Sequence, residues 1–219
     1  MSLQAIVFDF DGLIIDTETP EFETWRDEFA SRGVTLELSE WSKCVGAGPE
    51  AWSVFSHLEE LLGVPIDQQE VADSRHRRFQ ECLPHLKPRE GLSELLAEIK
   101  AAEIPFGIAS SSEMWWVSQH LAASGLLDEF SVIVTRDQVA QPKPAPDLYL
   151  EATRRLSADP SRCVAIEDSK NGIAAARAAG MAVVAVPNPV TETFDLTAAS
   201  LRVTSLSELS LHNLKSLIA

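Results

Sequence analysis

Ile6-Val7-Phe8-Asp9-Phe10-Asp11-Gly12 joins a short apolar run to two carboxylates one residue apart, and a glycine closes it. Residues 4–8 are rich in Ile and Val and read as a strand buried on both faces, the pattern of a parallel sheet. The two acids then have two readings. They are a polar turn that stops a strand, or a reaction centre at a strand's carboxyl end, where open parallel sheets bind their ligands.

The rest of the chain decides what kind of sheet this is. After Lys87-Pro88, helical patterns over 91–102, 113–124, 146–157 and 170–179 precede apolar runs at 106–109, 132–135, 163–166 and 182–186. A tail helix is expected over about 206–218. Strands alternating with helices give an α/β fold, a Rossmann-like doubly wound parallel sheet covered on both faces. Between Glu18 and Leu86 no comparable strand occurs. Phe22, Trp25 and Phe29 recur at helical spacing up to Gly33, a second helix carries Trp52, Phe55, Leu58 and Leu62, and a third spans 67–82 with Arg75, Arg77 and Arg78. The expected organisation is a core of 1–16 and 88–219 interrupted by an α-helical domain, 17–87.

At 219 residues the chain can bury a substantial core without metal or disulfide staples. Its formal charge of −15 argues against nucleic acid, whose phosphates are bound through clustered Lys and Arg, and against an anionic membrane surface. A phosphorylated small molecule stays admissible, because one cation and one lysine can invert the field locally. Cys44, Cys82 and Cys163 are few and far apart, which suits a reducing compartment. No apolar segment is long enough to span a membrane. A cytoplasmic monomer is the expectation.

The residues at the carboxyl end of each strand test the reaction-centre reading. The first strand ends in Asp9-Phe10-Asp11-Gly12, the second in Ser110-Ser111-Ser112, the third leads to Gln141-Pro142-Lys143-Pro144, and the fourth ends in Glu167-Asp168-Ser169. Each has a bland alternative. Asp11-Gly12 suits a turn, Ser110 with Glu113 reads as a helix capping box, Lys143 reads as a surface lysine, and acids such as Glu167 and Asp168 are favoured at helix starts. Together they would set carboxylates, hydroxyls and an ammonium along one edge.

These motifs, in this order and with Gly172 after the last, resemble the haloacid dehalogenase superfamily of phosphotransferases. The nearest likeness is to its small phosphatases and β-phosphoglucomutase-like enzymes, which carry a helical cap after the first motif. The resemblance covers essentially the whole chain. It implies Asp9 as nucleophile and metal ligand, and Asp11 as the acid and base that serves the leaving oxygen and then water, its carbonyl also binding the metal. It implies Ser110 and Ser111 with Lys143 as holders of the phosphoryl group, and Asp168 with Glu167 as the remaining metal partners. The second Asp, absent from the dehalogenases proper, implies phosphoryl chemistry.

Electrostatics make a cation necessary for that constellation. Two like charges ~4 Å apart repel by roughly 4 kcal/mol at an effective dielectric near 20. Asp9, Asp168 and a dianionic phosphate crowd several such pairs, and Lys143 offers a single positive charge. Oxygen ligands without His or Cys select Mg2+.

Specificity is expected from the cap, where Gly46-Ala47-Gly48 resembles the family's specificity loop. Glu18, Glu21 and Trp25 open the helix leaving the site, and Arg75, His76 and Arg78 are candidates to meet a substrate anion. Pro49, Glu113-Met114 and Glu21 depart from the mutase pattern, which carries Arg, Lys-Asn and His there. Acids at those places would repel a second phosphate. Trp115-Trp116 are expected to pack. The resulting expectation is a Mg2+-dependent phosphomonoester hydrolase of a small phosphorylated metabolite, a sugar phosphate first. The alternatives are a phosphosugar mutase, or a non-catalytic phosphate-binding or receiver-like protein.

Overall fold

The computed structural model describes residues 2–45 and 52–218. Its strands are β1 (Ala5–Phe8), β2 (Phe106–Ser110), β3 (Val132–Thr135), β4 (Cys163–Glu167), β5 (Ala182–Ala185) and β6 (Leu201–Arg202). The α-helices are α1 (Glu18–Ser31), α2 (Leu38–Trp41), α3 (Val54–Leu62), α4 (Gln68–Cys82), α5 (Leu92–Ala101), α6 (Met114–Ala123), α7 (Asp147–Arg155), α8 (Lys170–Ala178) and α9 (Leu211–Ser216). All strand pairs are parallel, in the order β3-β2-β1-β4-β5-β6. The chain winds outward from β1 to β3, then crosses back to β4 and winds the other way. The switch point therefore lies between β1 and β4, where this architecture opens a crevice.

Successive strand residues face opposite sides, and the two sides differ in bulk. Ile6, Phe8, Ile108, Val164, Ile166 and Val184 pack with leucines of α5 and α9 and with Val117 and Leu121 of α6. On the other face Ala5, Val7, Ala109, Ala165 and Ala185 meet Tyr149 and Ala152 of α7 and Ala175 and Ala176 of α8. The small residues let α7 and α8 lie close to the sheet. The helical segment after β1 has an apolar cluster of its own, with Trp25, Phe29, Trp41, Leu58 and Val71, onto which Val190 from beyond β5 packs.

The chain leaves β1 and re-enters the core along neighbouring paths. Ile15 bridges Pro88, and the Arg89 amide donates to the Ile14 carbonyl (2.9 Å). The Arg89 guanidinium donates to the carbonyls of Gly12 and Val186 (2.9 Å each) and of Pro187 (2.7 Å). One side chain thus ties the loop after β1 to the loop after β5. Gly12 itself has φ +78°, and a Cβ there would collide with Asp168 Oδ2. Only glycine admits both the turn and that approach.

Three expectations need correction, and one bland alternative falls away. The short α2 adds a helix to the 17–87 segment. Leu201–Arg202 pair with β5 as an edge strand that a two-residue apolar signal could not announce. The tail is not one helix: a 3-10 turn at Leu206–Glu208 precedes α9, which Ser210 starts with a capping box to Asn213. Ser110 caps no helix, because it completes β2, and Glu113 is the residue preceding α6. The cysteines are free, as expected. Among the described residues no helix is long and apolar enough to cross a membrane.

Arg89→Met should lower the unfolding free energy by about 1.5–3 kcal/mol, the scale of charge-assisted hydrogen bonds left unmade. Arg89→Lys should recover only part, since an ammonium lacks the planar fork. Urea denaturation of both variants gives the comparison, and equal stability of wild type and Arg89→Met would refute the tie.

Candidate active site

Register brings the strand ends level: Phe8 lies beside Ile108 and Ile166, and the Asp9 amide donates to the Ile166 carbonyl (2.9 Å). Just beyond, the buried Lys143 donates from Nζ to Asp9 Oδ1 (2.5 Å) and to Glu167 Oε1 (2.6 Å). Its ammonium also sits 5.0 Å from the centre of the Tyr149 ring. Lys143 is no surface lysine: it is 2% exposed.

Glu167 is saturated with donors. Oε1 also accepts from Tyr149 Oη (2.7 Å), and Oε2 accepts from the amides of Asp168 (3.0 Å) and Ser169 (3.1 Å) and from Ser169 Oγ (3.1 Å). The carboxylate occupies the space a side chain would need at position 172, where a Cβ would fall on top of Oε1. Asp168 differs. Its Oδ2 accepts from Asn188 Nδ2 (2.6 Å), but Oδ1 is buried with no partner among the described residues.

Asp9, Glu167 and Asp168 can each bring one oxygen within 4.8 Å of the others. An unpartnered buried carboxylate oxygen in an all-oxygen cluster is the chemistry of a hard divalent cation. Charge crowding says the same. Burial, with Glu167 adding to it and Lys143 opposing, pushes the Asp9 carboxyl up to about 7. Burial, with Asp9 and Glu167, holds Asp168 well above the carboxylate range. Burial lowers Lys143's affinity for its proton, but Asp9 and Glu167 more than reverse this, so it stays charged.

Asp11 stands apart from this cluster. Its Oδ1 accepts from Thr17 Oγ1 (2.9 Å) and Trp116 Nε1 (2.7 Å), and its Oδ2 from Ser112 Oγ (2.6 Å) and Ser110 Oγ (3.3 Å). Ser110 is fully buried, and its hydroxyl also accepts from the Ser112 amide (3.0 Å). Ser111 Oγ, by contrast, is buried without a partner among the described residues and lines the cavity. The unpartnered hydroxyl at the cavity is thus that of Ser111, while Ser110 is turned towards Asp11.

A cavity of about 510 Å³ joins the strand ends to the helical segment. Asp9, Asp11, Ser111 and Lys143 form its floor, and Glu18, Glu21, Trp41, Arg75, His76 and Phe79 line the far side. Burial, with Asp11 and Asp9 nearby, raises the Glu18 carboxyl to about 8. Arg75 pairs with Glu21 and lies over the rings of Phe79 (4.7 Å) and Trp25 (5.6 Å). Arg136 pairs with Glu113 (2.5 Å) at the rim. Arg78 turns to the buried Glu28 (3.5 Å) and does not line the cavity. Gly46, with Ala47, Gly48 and Pro49, lies outside the described residues.

Sequence reasoning missed Thr17, Ser112, Tyr149, Asn188 and Trp116. Asn188 had a signal, since Val186-Pro187-Asn188-Pro189 stands at the end of the fifth strand as the other motifs stand at the ends of theirs. Trp116 had none: an indole read as packing turns its N–H to a carboxylate. Trp115, also expected to pack, is 60% exposed at the cavity rim.

The model of the haloacid dehalogenase-like hydrolases matches residues 6–186. YhcW of Bacillus subtilis, whose name provisionally assigns it to the phosphatases, is 42% identical over 95% of this chain and 94% of its own. The β-phosphoglucomutase of Bacillus subtilis is 31% identical over 84% of this chain and 83% of its own. The fructose-1-phosphate phosphatase YqaB of Escherichia coli is 31% identical over 83% and 95%. Among solved structures, a family hydrolase from Deinococcus radiodurans with bound phosphate and sodium superposes with a TM-score of 0.80 at 30% identity, over 100% of this chain and 98% of that one.

Raised carboxyls fix a sign for pH dependence. Asp9 and Glu18 hold protons up to about 7 and about 8, whereas their ordinary values are 3.8 and 4.5. Between those limits the folded, cation-free protein binds more protons than the unfolded chain, so its stability falls as pH rises. Chelator-treated protein should melt lower at pH ~8 than at pH ~5.5, and a divalent cation should raise the midpoint more at the higher pH, where fewer protons compete. A midpoint that rises with pH, or ignores the cation, would contradict this charge balance.

Proposed function

The chain belongs to the haloacid dehalogenase-like hydrolase family, and from that membership we propose that it is a Mg2+-dependent phosphomonoester hydrolase of small metabolites, sugar phosphates foremost. The observation that carries the reading is the unpartnered Asp168 Oδ1 in a carboxylate cluster with Asp9 and Glu167, where the Lys143–Asp9 pair lies on the floor of a cavity that also exposes Asp11 and Ser111.

Asp9 and Asp168, with the Asp11 carbonyl, would hold the cation, and Glu167 would support them by fixing Lys143 and the turn into α8. When bound, Mg2+ neutralises phosphoryl oxygens and aligns the ester for attack. Asp9 attacks phosphorus through a carboxylate oxygen and forms an acyl phosphate. The ester oxygen leaves with the proton of Asp11, giving the free alcohol. Asp11, now a carboxylate, takes a proton from water as that water displaces phosphate from Asp9. Lys143 and Ser111 hold the phosphoryl oxygens throughout, and the buried strand ends keep the reacting groups in register.

Charge pairing favours hydrolysis over a mutase cycle. Away from Lys143, the arginines lining the cavity already face carboxylates: Arg75 meets Glu21 and Arg136 meets Glu113. His76 is hydrogen-bonded to Gln80 (2.8 Å). The segment 46–51 carries no Lys, Arg or His. A second phosphate would therefore find quenched cations, whereas a neutral polyol would find donors and acceptors. The free cysteines suit a reducing compartment, and a cytoplasmic monomer remains our reading.

A panel of phosphorylated metabolites with Mg2+ should give inorganic phosphate from hexose or hexitol monophosphates. The corresponding bisphosphates should have kcat/KM values lower by about tenfold or more, the scale of one poorly paired charge. Asp9→Asn should fold normally and lose turnover. Phosphate release persisting in Asp9→Asn, or isomerised sugar phosphate without phosphate release, would overturn the proposal.

A further inference from the structure

Trp116 belongs to none of the roles above, yet it touches both halves of the site. Its Nε1–H donates to Asp11 Oδ1 at 2.7 Å. Its ring packs on Phe79 of α4, with centroids 5.7 Å apart and planes 30° from parallel. The His120 ring, buried beneath, meets the indole edge to face at 4.2 Å. Phe79 is itself buried and lines the cavity from the helical segment.

We propose that Trp116 is a positioning residue for the acid–base carboxyl Asp11: it anchors Oδ1 through its N–H and takes its own place from Phe79 across the cavity. This rests on the phosphatase reading above. The choice of indole has a chemical consequence. The other partners of Asp11 are hydroxyls of Thr17, Ser110 and Ser112, which donate or accept by rotation, whereas the indole N–H only donates. While that bond holds, Oδ1 acts as acceptor and the hydrogen of the acid form belongs on Oδ2. Trp116 thus selects which oxygen serves the leaving group. Its ring makes that selection depend on how the 17–87 segment sits over the floor. His120 braces the indole from the core side, so movement of Phe79 is the contact that can release it.

The variants separate the N–H from the ring. Trp116→Phe keeps an aromatic ring for Phe79 and removes the donor; Phe79→Leu does the reverse. With Mg2+ present, Trp116→Phe should lower kcat/KM on an alkyl phosphate by about tenfold to a hundredfold, the cost of a misplaced proton donor. On 4-nitrophenyl phosphate, whose leaving group needs little protonation, the loss should be several times smaller. Phe79→Leu should shift the ratio in the same direction by less. A purely structural role would lower both substrates together, along with the melting temperature.

A second readout is independent of turnover. The indole N–H resonance that disappears in Trp116→Phe should move when Asp11→Ala removes its acceptor, and again in Phe79→Leu. An unchanged substrate ratio, or an indole resonance indifferent to Asp11→Ala, would overturn the assignment. If wild type releases no phosphate from any ester, the phosphatase reading has failed, and the resonance alone then decides whether Trp116 holds Asp11.

Discussion

Lys143 is the interaction on which the floor of the site depends. Its ammonium lies buried between Asp9 and Glu167, carboxylates that reach it from β1 and β4 across the switch point of the sheet. Removing the lysine would cost on the order of 3–5 kcal/mol, because the carboxyls it joins are left uncompensated, whereas loss of Asp9 alone leaves the ammonium paired with Glu167. Everything around it serves to hold three ionised groups in a dry place. Glu167 is met by the Tyr149 hydroxyl and two backbone amides, and Gly172 leaves the space its carboxylate fills. Even so, Asp168 Oδ1 is left without a partner among the described residues. The donors around it stop one short, which leaves the cluster able to take a cation where another side chain would have closed it.

How much of this was legible in the sequence depends on the physics of each part. The sheet was legible because its strands are apolar on both faces and its helices repeat between them, signals that survive without neighbours. The strand-end rule then placed Asp9, Lys143 and Asp168 together although they lie far apart in the chain. Donor direction was not legible. Ser110 had a cap as its bland alternative because Ser-x-x-Glu is a local pattern, yet its hydroxyl turns to Asp11, which lies just beyond another strand. Arg78 and Arg75 lie less than one turn apart on α4, and only tertiary packing sends one to Glu28 and the other into the cavity. Leu201–Arg202 form a strand because β5 offers an open edge, not because two residues have a preference.

The two sides of the cavity solve different problems. The floor is built from strand ends and the loops beyond them, whose positions are set by backbone pairing and by a buried core. The far side is built from helices with their own apolar cluster, joined to the core by adjacent strands of chain near Ile15 and Pro88. Arg89 clamps that junction by gripping carbonyls of the loops after β1 and β5. The two sides of the cavity thus rest on separate cores joined at one clamped crossing.

The net charge of −15 then poses the last question, since a phosphate ester is itself an anion. A strongly negative surface slows the approach of anions rather than speeding it. The cavity answers locally. Arg75 and Arg136 are cancelled by Glu21 and Glu113, so the upper walls carry little net field. On the floor, Asp9 and Glu167 share one ammonium while Asp168 stands nearby, so Lys143 alone cannot balance all three carboxyls once they ionise. Phosphate would be repelled from that floor in its ionised form. Under the proposed function, a divalent cation there would reverse the sign where the phosphoryl group must sit. Binding of anion and cation would thereby be coupled, and discrimination against a doubly charged substrate would come from walls that offer it nothing further.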